Sequence, residues 1–131
     1  MSQTKSFVDL RMWKQAHSFV LETYRLTATY PKHELFGLIS QFRRAAISIP
    51  ANIAEGYKRL SKTEKLRFFN IAQSSLEECR YYIILSGDLN YIDYIQSDCL
   101  KLLIEETSKS LNNYCEKLLI DLNNIKNDFR T

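Results

Sequence analysis

At 131 residues, with 45% hydrophobic and 25% charged side chains, the chain suits one folded domain with a real core and lacks the composition of a disordered segment. Only 3 Gly and 2 Pro occur, too few for an all-β protein that turns about every ten residues, so long helices are the simplest reading. The net charge of +3 is mild.

The opening MSQTKSFVDLRMW lacks the apolar run of a signal peptide, and no window approaches the roughly eighteen apolar residues of a membrane span. A cytoplasmic protein with no membrane contact is expected. Cys79, Cys99 and Cys115 are odd in number and widely spaced, as for small core or boundary residues in a reducing compartment.

In chain order, the first helix is predicted from Val8 or Asp9 to Thr27. Leu10, Trp13, Ala16, Val20, Tyr24 and Thr27 recur at 3-4 spacing, with Met12 and Phe19 beside them. It stops before Tyr30-Pro31, because the residue preceding proline is pushed out of helical geometry. The second helix is predicted from near Glu34, with Gly56 near its end. A third opens at Ser61-Lys62-Thr63-Glu64, a capping-box pattern, and buries Phe68 or Phe69, Ala72, Leu76, Cys79 and Ile83. The fourth starts near Asp93, with Leu100, Ile104, Thr107, Leu111, Tyr114, Leu118, Leu122 and Ile125 in a near-heptad stripe. Short connections between such helices give antiparallel neighbours. The expected fold is all-α, an up-down-up-down four-helix bundle in a single domain over residues 1–131, ordered from about 7 to 126 and frayed at 1–5 and 127–131.

Residues 41–59, QFRRAAISIPANIAEGYKR, are the most informative stretch. Leu38, Phe42, Ala45, Ala46, Ile49, Ile53 and Tyr57 make an apolar stripe; Gln41, Arg44, Ser48, Asn52, Glu55 and Arg59 make a polar one. Pro50 removes a donor and leaves the Ala46 carbonyl unpaired, so a bend or break is expected there. Ser48 and Asn52 could supply compensating hydrogen bonds.

The charge is uneven. Arg43, Arg44, Lys58, Arg59, Lys62, Lys65 and Arg67 face only Glu55 and Glu64 between residues 41 and 67. Such a patch reads either as a polyanion footprint or as a solvated surface with pairs such as Glu55–Arg59.

No phosphate loop, dinucleotide fingerprint or nucleophile elbow occurs. His17 and His33 lack the Glu-x-x-His setting of a di-iron bundle, so no metal or cofactor is expected. Glu55 and Glu77 could meet across helices two and three and share a polar pocket with Asn52, Arg44 or Arg59. That pairing reads as an acid-base pair or as a network holding helix register. Nothing resembling a nucleophile accompanies it, and no catalytic residue is assigned.

QFRRAAISIPANIAEGYKR followed by FFNIAQSSLEE, with VDLRMWKQAHSFVLETY and YPKHELFGL before them, closely resembles the 23S rRNA intervening-sequence proteins, also called the four-helix bundle protein family. The resemblance spans about Phe7 to Asn123 and implies a small antiparallel four-helix bundle associating into a ring-like homopentamer, with no established activity. A basic pentameric relative, the accessory variability determinant protein of diversity-generating retroelements, binds nucleic acid and a reverse transcriptase. Matching positions are Gln41, Arg44, Ser48, Pro50, Asn52, Glu55, Gly56, Arg59, Ser75 and Glu77; Ser74 stands where the family usually has glycine.

Two functions follow as expectations. One is a non-enzymatic oligomer associated with RNA or DNA through Arg43, Arg44, Lys58, Arg59, Lys62, Lys65 and Arg67, with Tyr57 as a base-stacking partner. In the other, a protein-interaction scaffold, the polar stripe of Gln41, Arg44, Ser48, Asn52, Glu55, Arg59 and Glu77 organises a subunit interface. Tyr81, Tyr82, Tyr91 and Tyr94 then lie at contacts with a protein partner.

Overall fold

A computed structural model describes residues 6–130 of the chain, with side chains through residue 125. Four α-helices account for most of it: α1 Arg11–Thr27, α2 Ser40–Lys58, α3 Lys62–Asp88 and α4 Tyr94–Arg130. Among the described residues there is no strand. The expected fraying at 1–5 and at 131 lies outside the described residues, and the α4 backbone is helical through Arg130.

Two of the four α-helices, α3 and α4, begin where a side chain satisfies free amides. Ser61 accepts from the Glu64 amide at 3.1 Å and opens α3 as predicted. The Glu64 carboxylate turns instead to Arg67, at 3.1 Å, so half of that capping box forms. Asp93 and Gln96 make a full reciprocal pair at the start of α4, at 2.7 and 2.9 Å. Ser6 and Asp9 do the same for a short 3-10 turn at Phe7–Asp9.

The stripe predicted for α1 is rotated. Leu10 precedes the helix in extended geometry, so a period counted from it starts out of phase. Counting from Met12 instead gives Met12, Ala16, Phe19, Thr23 and Leu26, all buried, while Trp13 and Val20 are half-buried and Tyr24 is exposed.

The apolar stripe of α2 stands as read from Leu38 to Ile53, all buried, with Tyr57 half-buried. Of the bend or break expected at Pro50, the break does not occur: α2 continues from Ser40 to Lys58 with Pro50 inside it and buried. The departure from helical geometry lies earlier, at Gly37 (φ −110°, ψ −112°), inside a wider π-type turn at Leu35–Ile39.

Helix α2 packs on α1 and α3, and α4 packs on the same two helices. Phe19, Phe42 and Phe69 are fully buried at these seams. Phe42 lies 6.2 Å from Phe19 and 5.7 Å from Tyr82 between ring centroids, and Phe69 meets Tyr114 edge-on at 5.4 Å. The core face of α3 is Phe69, Ala72, Leu76, Cys79 and Ile83, as expected, and Phe68 is half-buried. The α4 stripe is buried from Leu100 to Leu118 apart from the half-buried Tyr114, and emerges by Ile125.

Among the described residues one buried hydroxyl has no partner: Thr23 Oγ1. A polar atom removed from water without a hydrogen bond costs about 1–3 kcal/mol. Thr23→Val keeps the shape and removes that atom, and is expected to raise stability by about 1 kcal/mol in urea unfolding.

The α1–α2 and α3–α4 connections meet at one end of the molecule. The Tyr91 hydroxyl donates to Glu34 at 2.9 Å, the Tyr30 hydroxyl donates to Ser86 at 2.7 Å, and the two tyrosine rings lie 5.1 Å apart. The α2–α3 connection lies at the other end, where Lys62 pairs with Asp121 of α4 at 3.3 Å.

Candidate nucleic-acid interface and the polar stripe of α2

The seven cations adjacent in sequence do not form one patch. Arg44 and Lys58 lie on the same helix about 21 Å apart along its axis, so Arg43 and Arg44 sit toward the Tyr91 end while Lys58, Arg59, Lys62, Lys65 and Arg67 surround the α2–α3 connection.

Two of the seven serve the fold. The Arg43 Nε donates to Thr27 Oγ1 at 2.8 Å, a terminal nitrogen reaches the Tyr24 carbonyl at 3.4 Å, and the guanidinium covers the Tyr24 ring at 4.5 Å. Arg43 therefore closes the C-terminal turn of α1, where unpaired carbonyls concentrate negative charge. Lys65 does the same for α2, donating to the Tyr57 and Gly56 carbonyls at 2.6 and 3.3 Å. Partial burial lowers the pKa of its ammonium. Lys65→Met, which keeps the stem and loses the donor, is expected to cost about 1 kcal/mol in urea unfolding.

Three others hold surface ion pairs. Arg59 meets Glu55 at 3.0 Å, Lys62 meets Asp121 at 3.3 Å, and Arg67 meets Glu64 at 3.1 Å. Exposed pairs of this kind contribute little to stability, so their cations can exchange partners cheaply. Arg59 and Arg67 also approach the Phe68 ring, at 4.5 and 4.9 Å from its centroid, a cation–aromatic cluster beside the connection. Arg44 and Lys58 are exposed. Tyr57 is half-buried against the core with Lys65 Nζ 5.4 Å from its ring centroid, which leaves its face poorly placed for stacking on a base.

The polar stripe of α2 divides in the same way. Asn52 donates to the Ser48 carbonyl at 2.7 Å and to Ser48 Oγ at 3.0 Å, and Ser75 of α3 donates to Ser48 Oγ at 2.8 Å. Asn52 thus serves the carbonyl of Ser48 rather than the one Pro50 orphans at Ala46. Gln41, Arg44, Glu55 and Arg59 are exposed. The expected meeting of Glu55 with Glu77 does not form. Each carboxylate pairs with an arginine one turn along its own helix, Arg59 and Arg80, and Arg80 also holds Glu105 of α4 at 2.8 Å. The intrahelical partner is simply nearer.

The tyrosines split two and two. Tyr82 and Tyr91 are half-buried, their hydroxyls donating to Glu78 and Glu34 at 2.8 and 2.9 Å. Tyr81 and Tyr94 are exposed. A polar groove of about 370 Å³ between α3 and α4, lined by Asn70, Gln73, Ser74, Glu77, Arg80 and Asn112, escaped sequence reading because its two walls lie far apart in the chain. Gln73 donates to Asn112 across it at 2.5 Å.

Among the described residues no group of three or more His, Cys, Asp or Glu is placed to hold a metal ion, and no helix is long and apolar enough to cross a membrane. Burial pushes the Cys79 and Cys115 thiols up, away from the thiolate that reacts. His17 stacks on Trp13 at 4.9 Å.

These features define an all-helical protein whose second helix ties to a neighbouring helix through Ser48 and which gathers cations at one connection. The chain belongs to the 23S rRNA-intervening sequence protein family, whose model matches residues 8–113. It is also similar in fold to the crystal structure of a protein of unknown function in the S23 ribosomal protein family from Bacteroides thetaiotaomicron. That likeness has a TM-score of 0.74 at 23% identity, covering 79% of this chain and 97% of the other. No curated protein matches the chain.

Proposed function

We propose that this chain is a non-enzymatic, cytoplasmic subunit of a homo-oligomeric ring that associates with nucleic acid, RNA foremost. The observation that carries the reading is the gathering of Lys58, Arg59, Lys62 and Arg67 around one connection, with two guanidiniums against the Phe68 ring. Phosphate backbone is the ligand such a surface suits, and it is read through charge with little base specificity. One copy offers a weak site, and a ring of five, the assembly implied by the family resemblance, multiplies it.

The bundle topology is part of this reading. Contacts between α2 and α3 pair Phe42 with Tyr82, Ser48 with Ser75 and Arg59 with Phe68, numbers that rise on one helix and fall on the other, which supports an up-down-up-down arrangement. The outer α2–α3 face supports lateral assembly. It carries the exposed Ile47 and Ile71 beside the Ser48–Asn52–Ser75 network, apolar surface next to hydrogen-bonding groups.

A fluorescein-labelled structured RNA is expected to bind in low salt and to release steeply as salt rises. Lys58→Glu with Arg67→Glu, both at exposed positions, is expected to weaken binding by about tenfold or more and to flatten the salt slope. Undetectable binding at tens of micromolar in low salt overturns the nucleic-acid reading, and a monomeric light-scattering mass at all concentrations overturns the ring. A second reading, a protein-interaction scaffold, is favoured by the exposed Tyr81 and Tyr94. It predicts that the ring forms without RNA affinity.

A further inference from the structure

The end of the bundle that carries Tyr91 leaves a group of large apolar side chains in water. Phe36 is 92% exposed and Tyr94 80%, with Leu35, Leu89 and Ile95 also in solvent, and a cluster of this kind marks a contact surface. Helix α2 packs on α1 and α3, and so does α4, so the α1–α2 and α3–α4 connections run along opposite edges of this end. The Tyr91–Glu34 hydrogen bond spans the space between them. Leu35 and Phe36 belong to the first edge; Leu89, Tyr94 and Ile95 belong to the second.

The two edges differ in charge. Residues 22–44, around the α1–α2 connection, carry Arg25, Lys32, Arg43 and Arg44 against Glu22 and Glu34. Arg25 pairs with Glu22, Arg43 holds Thr27 and the Tyr24 carbonyl, and Glu34 accepts from Tyr91. Lys32 is the exposed cation in the connection itself, with Arg44 exposed further along α2. The α3–α4 edge carries Asp88, Asp93 and Asp98, all exposed, and no Lys or Arg occurs between residues 81 and 100. One end of one molecule thus holds a net positive edge and an acidic edge with apolar surface on both.

We infer that two copies of this chain pair through this end, the Lys32–Phe36 edge of each lying on the Asp88–Ile95 edge of the other. A two-fold axis that lies in the plane of the end, between the connections and parallel to them, turns each edge onto the opposite one. Base then meets acid and Phe36 meets Leu89, Tyr94 and Ile95, and both contacts occur twice. An axis that crosses the two connections would set acid on acid, so charge selects one orientation. A surface split in this way is its own complement, and the contact closes on two copies.

Size sets the strength. Four helices packed at about 10 Å spacing present an end of about 400 Å², roughly half of what each partner gives to a stable interface. Two single chains therefore pair weakly, and two laterally assembled rings that meet face to face pair more tightly because several ends engage together. The inference rests on this end alone and requires neither the ring nor nucleic-acid binding.

Sedimentation equilibrium of the full chain from about 10 μM to about 1 mM in low salt tests it. The wild-type mass is expected to rise from its base unit to twice that unit and to stop there. Phe36→Ser is expected to abolish the rise while keeping the wild-type circular dichroism and melting temperature. Lys32→Glu alone sets acid on acid and Asp88→Lys alone sets base on base, so each is expected to need about tenfold more protein to pair, or more. An equimolar mixture of these two variants is expected to pair again, because each copy of a mixed pair brings the opposite charge to both contacts. A wild-type mass that stays constant to the highest concentration, growth past twice the base unit, pairing that survives Phe36→Ser, or a mixture that does not recover overturns the proposal. The base unit reports separately on the ring: a monomer that doubles sinks the ring alone, and a ring that never doubles sinks the pairing alone.

Discussion

Replacing Phe42 with alanine is expected to cost about 3–5 kcal/mol, among the largest losses from any single side chain in the core. Phe42 is fully buried and touches ring systems from two other helices, Phe19 of α1 and Tyr82 of α3. Truncation therefore forfeits the transfer energy of an aromatic ring and opens a hole that three helices must close together. For a domain whose total stability is about 5–15 kcal/mol, such a loss brings the midpoint of urea unfolding down sharply. Phe36→Ala is the matched control: the same residue type, almost wholly in water, is expected to change stability by less than about 0.5 kcal/mol.

The second large effect is at Gly56. A Cβ built there lies 2.5 and 2.8 Å from two atoms of the Phe69 ring, and that ring is itself fully buried against Tyr114. Helix α2 and helix α3 approach closely at this point because one of them has no side chain. Alanine in place of helical glycine ordinarily gains about 1 kcal/mol, so the sign of the change is informative. Gly56→Ala is expected to destabilise by about 1–3 kcal/mol, as overpacking outweighs the propensity gain. In a Phe69→Leu background the obstruction is smaller, and the same substitution is expected to cost under about 0.5 kcal/mol. A double-mutant cycle measures the difference as a coupling energy. Equal costs in both backgrounds would show that Phe69 is not the atom set in the way.

Much of the architecture was legible because apolar periodicity and capping chemistry act locally. The Ser61 start of α3, the Asp93 start of α4, the termination of α1 before Pro31 and the apolar stripe of α2 all follow from neighbours in the chain. The misreadings have separate causes. The phase of α1 was anchored on Leu10, which a preceding 3-10 turn takes out of the helix. Pro50 does not interrupt α2, which runs from Ser40 to Lys58 with the proline buried inside it. The wide turn around Gly37 gave no signal beyond the glycine itself.

The candidate site was legible in kind more than in place. Lysines and arginines can be counted from sequence, but Arg43 and Lys65 look like their neighbours until the carbonyls they close are seen. Glu55 and Glu77 sit on adjoining helices as expected, yet each finds an arginine closer on its own helix. Ser75, which sequence marks only as a position matching the family, is the cross-helix partner of Ser48.

Besides the packing of α2 on α3 and of α1 on α4, the α1–α2 and α3–α4 pairs are joined by the peptide chain at Leu60 and by the tyrosine contacts with Glu34 and Ser86 at the far end. A single proteolytic nick at the solvent-borne Leu60 therefore does not free them. The two fragments should co-elute under native conditions and part only in denaturant, which makes this position the natural place to divide the protein into a pair of separately expressed, self-reconstituting halves.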